Sequence, residues 1–282
     1  MNVAKTVFLM ALLTVILVLV GTAIGGRSGA LFALCLAAVF NFISYWKSDK
    51  IALAMHRAKP LQPGEAPELE GMVRELAMKA SIPMPRLYVI PQPSPNAFAT
   101  GRDPAHAAVA VTEGALRALK PEELRGVLAH ELGHVIHRDI LVATIAATMA
   151  GAITMLATWA RWAAIFGGMG GRDGERRGGG LELLLMAIVA PLAAMLVQMA
   201  VSRSREFMAD EASARLTRDP LALAGALRRL EAYAKQIPLE TSPASAHMFI
   251  VNPLHGGFAG LFSTHPPVEA RVQRLEALVG RV

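Results

Sequence analysis

The chain has 282 residues, 54% of them hydrophobic and 18% charged, with a mean hydropathy of +0.41, a balance that excludes an ordinary soluble protein and points to membrane-embedded segments. Its net charge of +6 is spread without a dense basic run, which speaks against a nucleic-acid surface. A single cysteine, Cys35, excludes a disulfide framework and a cysteine-based zinc site, and fits a reducing compartment.

Residues 7–24 and 30–46 carry no charge, and each run approaches the roughly 20 residues that a helix needs to span a bilayer. Residues 1–46 are therefore predicted to be an N-terminal transmembrane hairpin. A cleaved signal peptide is the rival reading, but the first run is long for that role and a second follows within six residues. Lys47, Lys50, Arg57 and Lys59 outnumber Asp49 just after the second run, whereas the connector at 25–29 holds only Arg27. The positive-inside rule then places residues 47–139 in the cytoplasm, on the same side as the N-terminus.

Within 47–139, residues 60–67 read as a linker and 67–80 as a helix with Leu69, Met72, Val73 and Leu76 on one face. Short strands are predicted at 85–90, 96–101 and 106–114, the last followed by a turn. A helix then starts at KPEELRG, with Pro121, Glu122 and Glu123 in its first turn. Residues 140–202 form a second hydrophobic hairpin, made of runs at 140–160 and 183–201 joined by the Gly-rich linker 167–180. Arg172, Arg176 and Arg177 in that linker argue against its translocation, so the pair either spans the bilayer or packs as buried or surface-lying helices. Trp46, Trp159 and Trp162 lie near segment ends, as interfacial aromatics do. Helices are predicted at 204–216, from Pro220 with Asp219 as cap, and over PPVEARVQRLEALV at the end. The soluble part, 47–139 plus 203–282, is thus mostly α with a small β-sheet (α+β).

The chemistry concentrates in His130-Glu131-Leu132-Gly133-His134. At about 100° per residue the two histidines stand one turn apart on one helix face, so both imidazoles can reach one zinc ion. Glu131 sits beside them, placed to take a proton from water. A third ligand has two candidates. His137 lies on the same face but about 10 Å along an unbroken helix from His130, too far for one tetrahedral ion. The three-histidine pattern HExxHxxGxxH fails, because residue 137 is His and 140 is Ile. Glu206 in SREFMADEA is the other candidate, with Asp210 four residues on along the same face and able to orient a ligand histidine. If each helix runs on into its apolar neighbour, His134 lies about 9 Å before residue 140 and Glu206 about 7.5 Å after residue 201, at nearly the same height. His56, His106, His247 and His255 have no partners at ligand spacing and are given no function.

HELGH, SREFMAD and STHPPVEARVQRL, together with four apolar runs and NAFATG, resemble the HtpX-type membrane zinc metalloproteases, which share a peptidase family with the CAAX prenyl proteases. The likeness covers nearly the whole chain. It implies a zincin-like domain on transmembrane helices, a multi-pass protein of the inner (plasma) membrane with its site facing the cytoplasm. It also implies one Zn2+ per chain, polypeptide substrates, and a role in stress response and quality control of damaged or misassembled membrane proteins. Carried over, His130, His134 and Glu206 are zinc ligands, Glu131 the catalytic base and Asp210 the acid behind a ligand. Asn96, Ala97, Phe98, Ala99 and Thr100 form an edge strand holding an extended substrate, and His265 helps to stabilise the oxyanion. Before two prolines, His265 reads equally as a loop residue beside a helix start.

Three rivals are weighed. Intramembrane cleavage needs HExxH and an Asp inside apolar spans, whereas KPEELRG is polar and no apolar run contains Asp. A prenyl-protein (CAAX-type) processing protease is normally longer, with more spans. A non-catalytic zinc-binding scaffold would usually close its site with four protein ligands, and only three are visible.

Overall fold

The computed structural model describes residues 2–151, 153, 202–237, 239, 241, 245–252 and 265–282. Most of the predicted second hairpin, including its linker 167–180, Trp159 and Trp162, lies outside the described residues, as does His255.

The first helix, α1 (Asn2–Met55), breaks at Gly25 and Gly26, where Gly26 adopts a φ of 57°, a left-handed conformation open to glycine at no steric cost. The two arms fold back on each other. Gly21 and Gly29 meet so closely that a β-carbon on either would collide with the other's carbonyl oxygen. Further along, the Asn41 side-chain amide donates to Thr14 Oγ1 at 2.9 Å. Val7, Phe8, Leu19, Phe32, Val39 and Phe42 turn outward, 55–71% exposed. The second arm, from Gly25 to Met55, is long and apolar enough to cross a membrane. It also runs past residue 46, the predicted boundary, and buries Ala52 and Leu53 against the sheet. The arm and the domain are thus one continuous rod.

The sheet has the order β1-β2-β4-β3, with β1 (Lys59–Pro60), β2 (Arg86–Ile90), β3 (Ala97–Thr100) and β4 (Ala108–Thr112). β2 and β4 are parallel, and the two outer pairings are antiparallel. β1 overlaps the start of the predicted linker at Pro60: two residues pair with β2 and Pro60 ends the strand, since proline is tolerated at a sheet edge. Period-two alternation assigns the faces. Ile90, Phe98, Ala108 and Ala110 meet α1 and Phe249 on one side, while Leu87, Ala97, Ala99, Val109 and Val111 meet the helices on the other.

Helix α2 (Pro67–Lys79) buries Leu69, Val73 and Leu76 as predicted. In place of a turn after β4 there is a short helix, α3 (Glu113–Ala118), whose N-terminus is capped by Thr112 Oγ1 accepting from the Ala115 N–H. The central helix α4 (Pro121–Ile136) is buried nearly all round, as a helix packed on every side must be. It does not continue into the next apolar helix, α5 (Ile140–Gly151). Arg138 turns left-handed at φ 55°, and the Asp139 N–H returns to the His134 carbonyl at 2.9 Å, closing the last turn of α4. Ser202, before α6 (Arg203–Thr217), is extended and so also outside the helix. The helices therefore do not run on into their apolar neighbours, and the height argument built on that continuity is corrected. α7 (Pro220–Gln236), capped by Asp219, and α8 (Val268–Glu276) complete the helical layer.

α4 and α6 cross at Gly133, where an added β-carbon would stand 3.0 Å from Ala209 Cα. Gly133→Ala is expected to force the helices apart and destabilise the protein by about 1–3 kcal/mol. Unfolding midpoints of the purified variant check this.

Candidate metal centre

α4 presents His130 and His134 from successive turns, and α6 presents Glu206 from its first turn. Their donor atoms lie within 4.8 Å of one another. His130 Nε2 and His134 Nε2 are 3.2 Å apart, His134 Nε2 and Glu206 Oε1 3.5 Å, and His130 Nε2 and Glu206 Oε2 3.8 Å. Bonds of about 2.0–2.1 Å at tetrahedral angles put neighbouring ligand atoms roughly 3.3 Å apart, so the three fit the edges of one tetrahedral site. His137 forms the C-cap of α4 and is not among them.

Behind each histidine stands an acid, and behind each acid an arginine. Asp210 Oδ1 lies 2.9 Å from His130 Nδ1, and Arg271 clamps Asp210 with two parallel bonds, Nε to Oδ2 at 2.9 Å and Nη2 to Oδ1 at 2.6 Å. Arg271 also donates to the Ile250 carbonyl and is only 1% exposed. On the other side, Asp139 Oδ2 lies 3.6 Å from His134 Nδ1, and Arg205 Nη1 donates to Asp139 Oδ1 at 2.9 Å. The sequence reading had Asp210 but missed Arg271, Asp139 and Arg205.

Burial sets the electrostatics. It depresses His130 to about 4 in spite of Asp210. For His134 burial works the same way, but the Glu206 and Asp139 carboxylates outweigh it and push the imidazole up to about 9. A field that favours a proton there also favours a divalent cation between the ligands. Glu206 is held well below the usual carboxylate range against its burial, chiefly by His265 and His134. Glu131 is 2% exposed, and burial pushes it up to about 8. The Ala99 backbone also hydrogen-bonds the Glu131 carboxylate.

His265 touches the centre. Its Nδ1 is 2.9 Å from Glu206 Oε2 and its Nε2 3.1 Å from the His247 carbonyl. His247, given no function from sequence, lines the same cleft as Ala99, Arg205 and Phe249. The other unassigned histidines described are elsewhere: His56 meets Phe98 at a tilt and Phe249 edge-on, and His106 pairs with Asp103 at the surface. β3 is an edge strand, as expected. Asn96 and Thr100 are occupied internally, by the Val251 carbonyl and Thr144 respectively, and the Phe98 side chain is core. Residues 97 and 99 turn their main-chain groups outward, but the Ala97 carbonyl already accepts the Ile250 N–H. Of the five residues 96–100, Ala99 is the one that lines the cleft.

Residues 63–279 match the model of peptidase family M48. Curated relatives named "Protease HtpX homolog" cover nearly the full length. That of Syntrophotalea carbinolica is 57% identical over 98% of both chains. That of Desulfatibacillum aliphaticivorans is 56% identical over 97% of this chain and 89% of its own. That of Thermodesulfovibrio yellowstonii is 54% identical over the whole of both. Among solved structures, S. mikatae Ste24p shares the fold with a TM-score of 0.51 at 17% identity, over 93% of this chain and 62% of Ste24p. With a histidine pair and a carboxylate from two helices converging on one point, inside a sequence that the family model matches over residues 63–279 and these relatives match almost end to end, the chain belongs to peptidase family M48.

Proposed function

We propose that the chain is an integral membrane zinc endopeptidase, cleaving damaged or misfolded membrane proteins at a site on the cytoplasmic side of the inner membrane. The observation that carries this reading is the approach of His130 Nε2, His134 Nε2 and a Glu206 oxygen to tetrahedral separations beside a buried Glu131. His130, His134 and Glu206 would hold the zinc. When bound, zinc supplies Lewis-acid polarisation of a peptide carbonyl and of water.

The remaining work belongs to the chain. Glu131, raised toward neutrality by burial, takes the proton from the attacking water and returns it to the leaving amine. The Ala99 carbonyl, at the cleft end of β3, accepts a main-chain N–H of an extended substrate, which tolerates varied side chains. Asp210 with Arg271, and Asp139 with Arg205, hold the two imidazoles in one tautomer with Nε2 toward the metal. Both ring nitrogens of His265 are engaged, so its geometry favours holding Glu206 over reaching an oxyanion.

The membrane placement rests on the outward apolar face of α1 and the length of its second arm. Domain boundaries at 1–46, 140–202 and 203–282 are part of the same reading, with the second arm of α1 extending into the domain. The likeness to Ste24p concerns the fold and lends no support to prenyl-protein processing. A purified full-length chain is expected to hold about one zinc and to cleave unfolded casein. A chelator abolishes cleavage and added zinc restores it. Chelator-resistant cleavage, or a chain that binds no zinc, overturns the proposal.

A further inference from the structure

The second arm of α1 leaves its apolar stretch at Phe42 and Ile43, which are 66% and 42% exposed, and reaches Tyr45 and Trp46 one turn later. Tyrosine and tryptophan at such a point sit at the headgroup level of a bilayer. At that height, between the arm and the loop after β3, lies a cavity of about 380 Å³ lined by Tyr45, Trp46, Lys47, Lys50, Arg86 and Arg102.

Four cations face this cavity against one carboxylate, Asp49. Asp49 is taken by Arg86 at 2.7 Å. Arg102 lies 4.7 Å over the Trp46 ring and is fixed by Asp103 and His106, so the indole is pinned as one wall. Lys47 and Lys50 are exposed and have no ion-pair partner among the described residues. Two free ammonium groups beside a fixed aromatic wall, with exposed hydrocarbon one turn below, match an anionic phosphate that carries acyl chains.

We propose that this cavity binds the phosphate headgroup of an anionic phospholipid, whose chains lie along Phe42 and Ile43. The cavity shares no lining residue with the metal cleft, and nothing in the protease chemistry uses it. It fixes the depth and tilt of the domain on the membrane, because the rod of α1 and the Arg102 loop both grip the same lipid. The inference rests on reading α1 as a membrane hairpin.

Native mass spectrometry of the full-length chain in detergent, offered phosphatidylglycerol or phosphatidylcholine, tests it. The wild type is expected to retain phosphatidylglycerol preferentially. Each free lysine near a membrane surface is worth about fivefold in anionic-lipid affinity, so Lys47→Gln with Lys50→Gln lowers retention about 25-fold. Casein cleavage by this surface variant stays at wild-type level, which shows that it is folded. Equal retention of the two lipids, or no change in the double variant, overturns the proposal. Displacement of the lipid by millimolar inorganic phosphate also overturns it, since a soluble anion would then be the ligand. Alkaline extraction of membranes holding the protein separates the two readings: release of the chain refutes the membrane hairpin itself, whereas retention without lipid preference refutes only the headgroup site.

Discussion

Glu131→Gln is expected to slow cleavage of an unfolded polypeptide by about 10²–10⁴-fold while the purified variant keeps its zinc. The two outcomes separate because Glu131 stands beside the ligand set without belonging to it. Glutamine has the same shape, and its carbonyl oxygen can still accept the bond from the Ala99 backbone. It cannot ionise, so a site only 2% exposed is never asked to hold a bare charge and the fold bears no new cost. What glutamine cannot do is take up a proton near neutral pH and give it back. Loss of zinc on this substitution would place residue 131 among the ligands, and wild-type turnover would remove it from the chemistry.

Arg271→Met is expected to destabilise the protein by about 3–5 kcal/mol and to weaken zinc binding about 10–100-fold. Arg271 is the largest fully buried side chain among the described residues, and three of its contacts go to Asp210 and the Ile250 carbonyl. Methionine fills much of the space but leaves Asp210 charged, enclosed and answered only by His130. The size of the effect therefore comes from the abandoned carboxylate rather than from the lost attraction. A second substitution, Asp210→Asn, discriminates. Added to Arg271→Met it removes the abandoned charge, and unfolding measured in detergent regains part of the lost stability, a coupling that independent sites would not show. Strictly additive losses would mean that the two residues act separately.

Much of the site was legible from residue order alone. HELGH in a run opened by Pro121 and two glutamates can be little but a helix carrying two imidazoles on one face, and Glu206 with Asp210 repeats that logic on a second helix. The strands were legible for the same reason, since alternation in RLYVI and AVAVT has one pleated solution. Arg271 was not read, because its partner is 61 residues away in sequence. A signal existed: Val268, Arg271, Val272 and Leu275 share one helical face, so the arginine interrupts an apolar stripe. Asp139 gave less warning, being the last polar residue before an apolar run. The break beside it carries neither glycine nor proline, and Arg138 turns left-handed where the Asp139 N–H bonds back to the His134 carbonyl. β1 is too short for any pattern to show.

That left-handed residue does more than end a helix. In an unbroken helix every residue gained or lost downstream would swing what precedes it by about 100°, and the imidazoles would lose their bearing on Glu206. The reversal at Arg138 and the extended Ser202 act as swivels on either side of the intervening segment. A residue gained or lost after Ile140 therefore leaves the bearing of the two imidazoles unchanged.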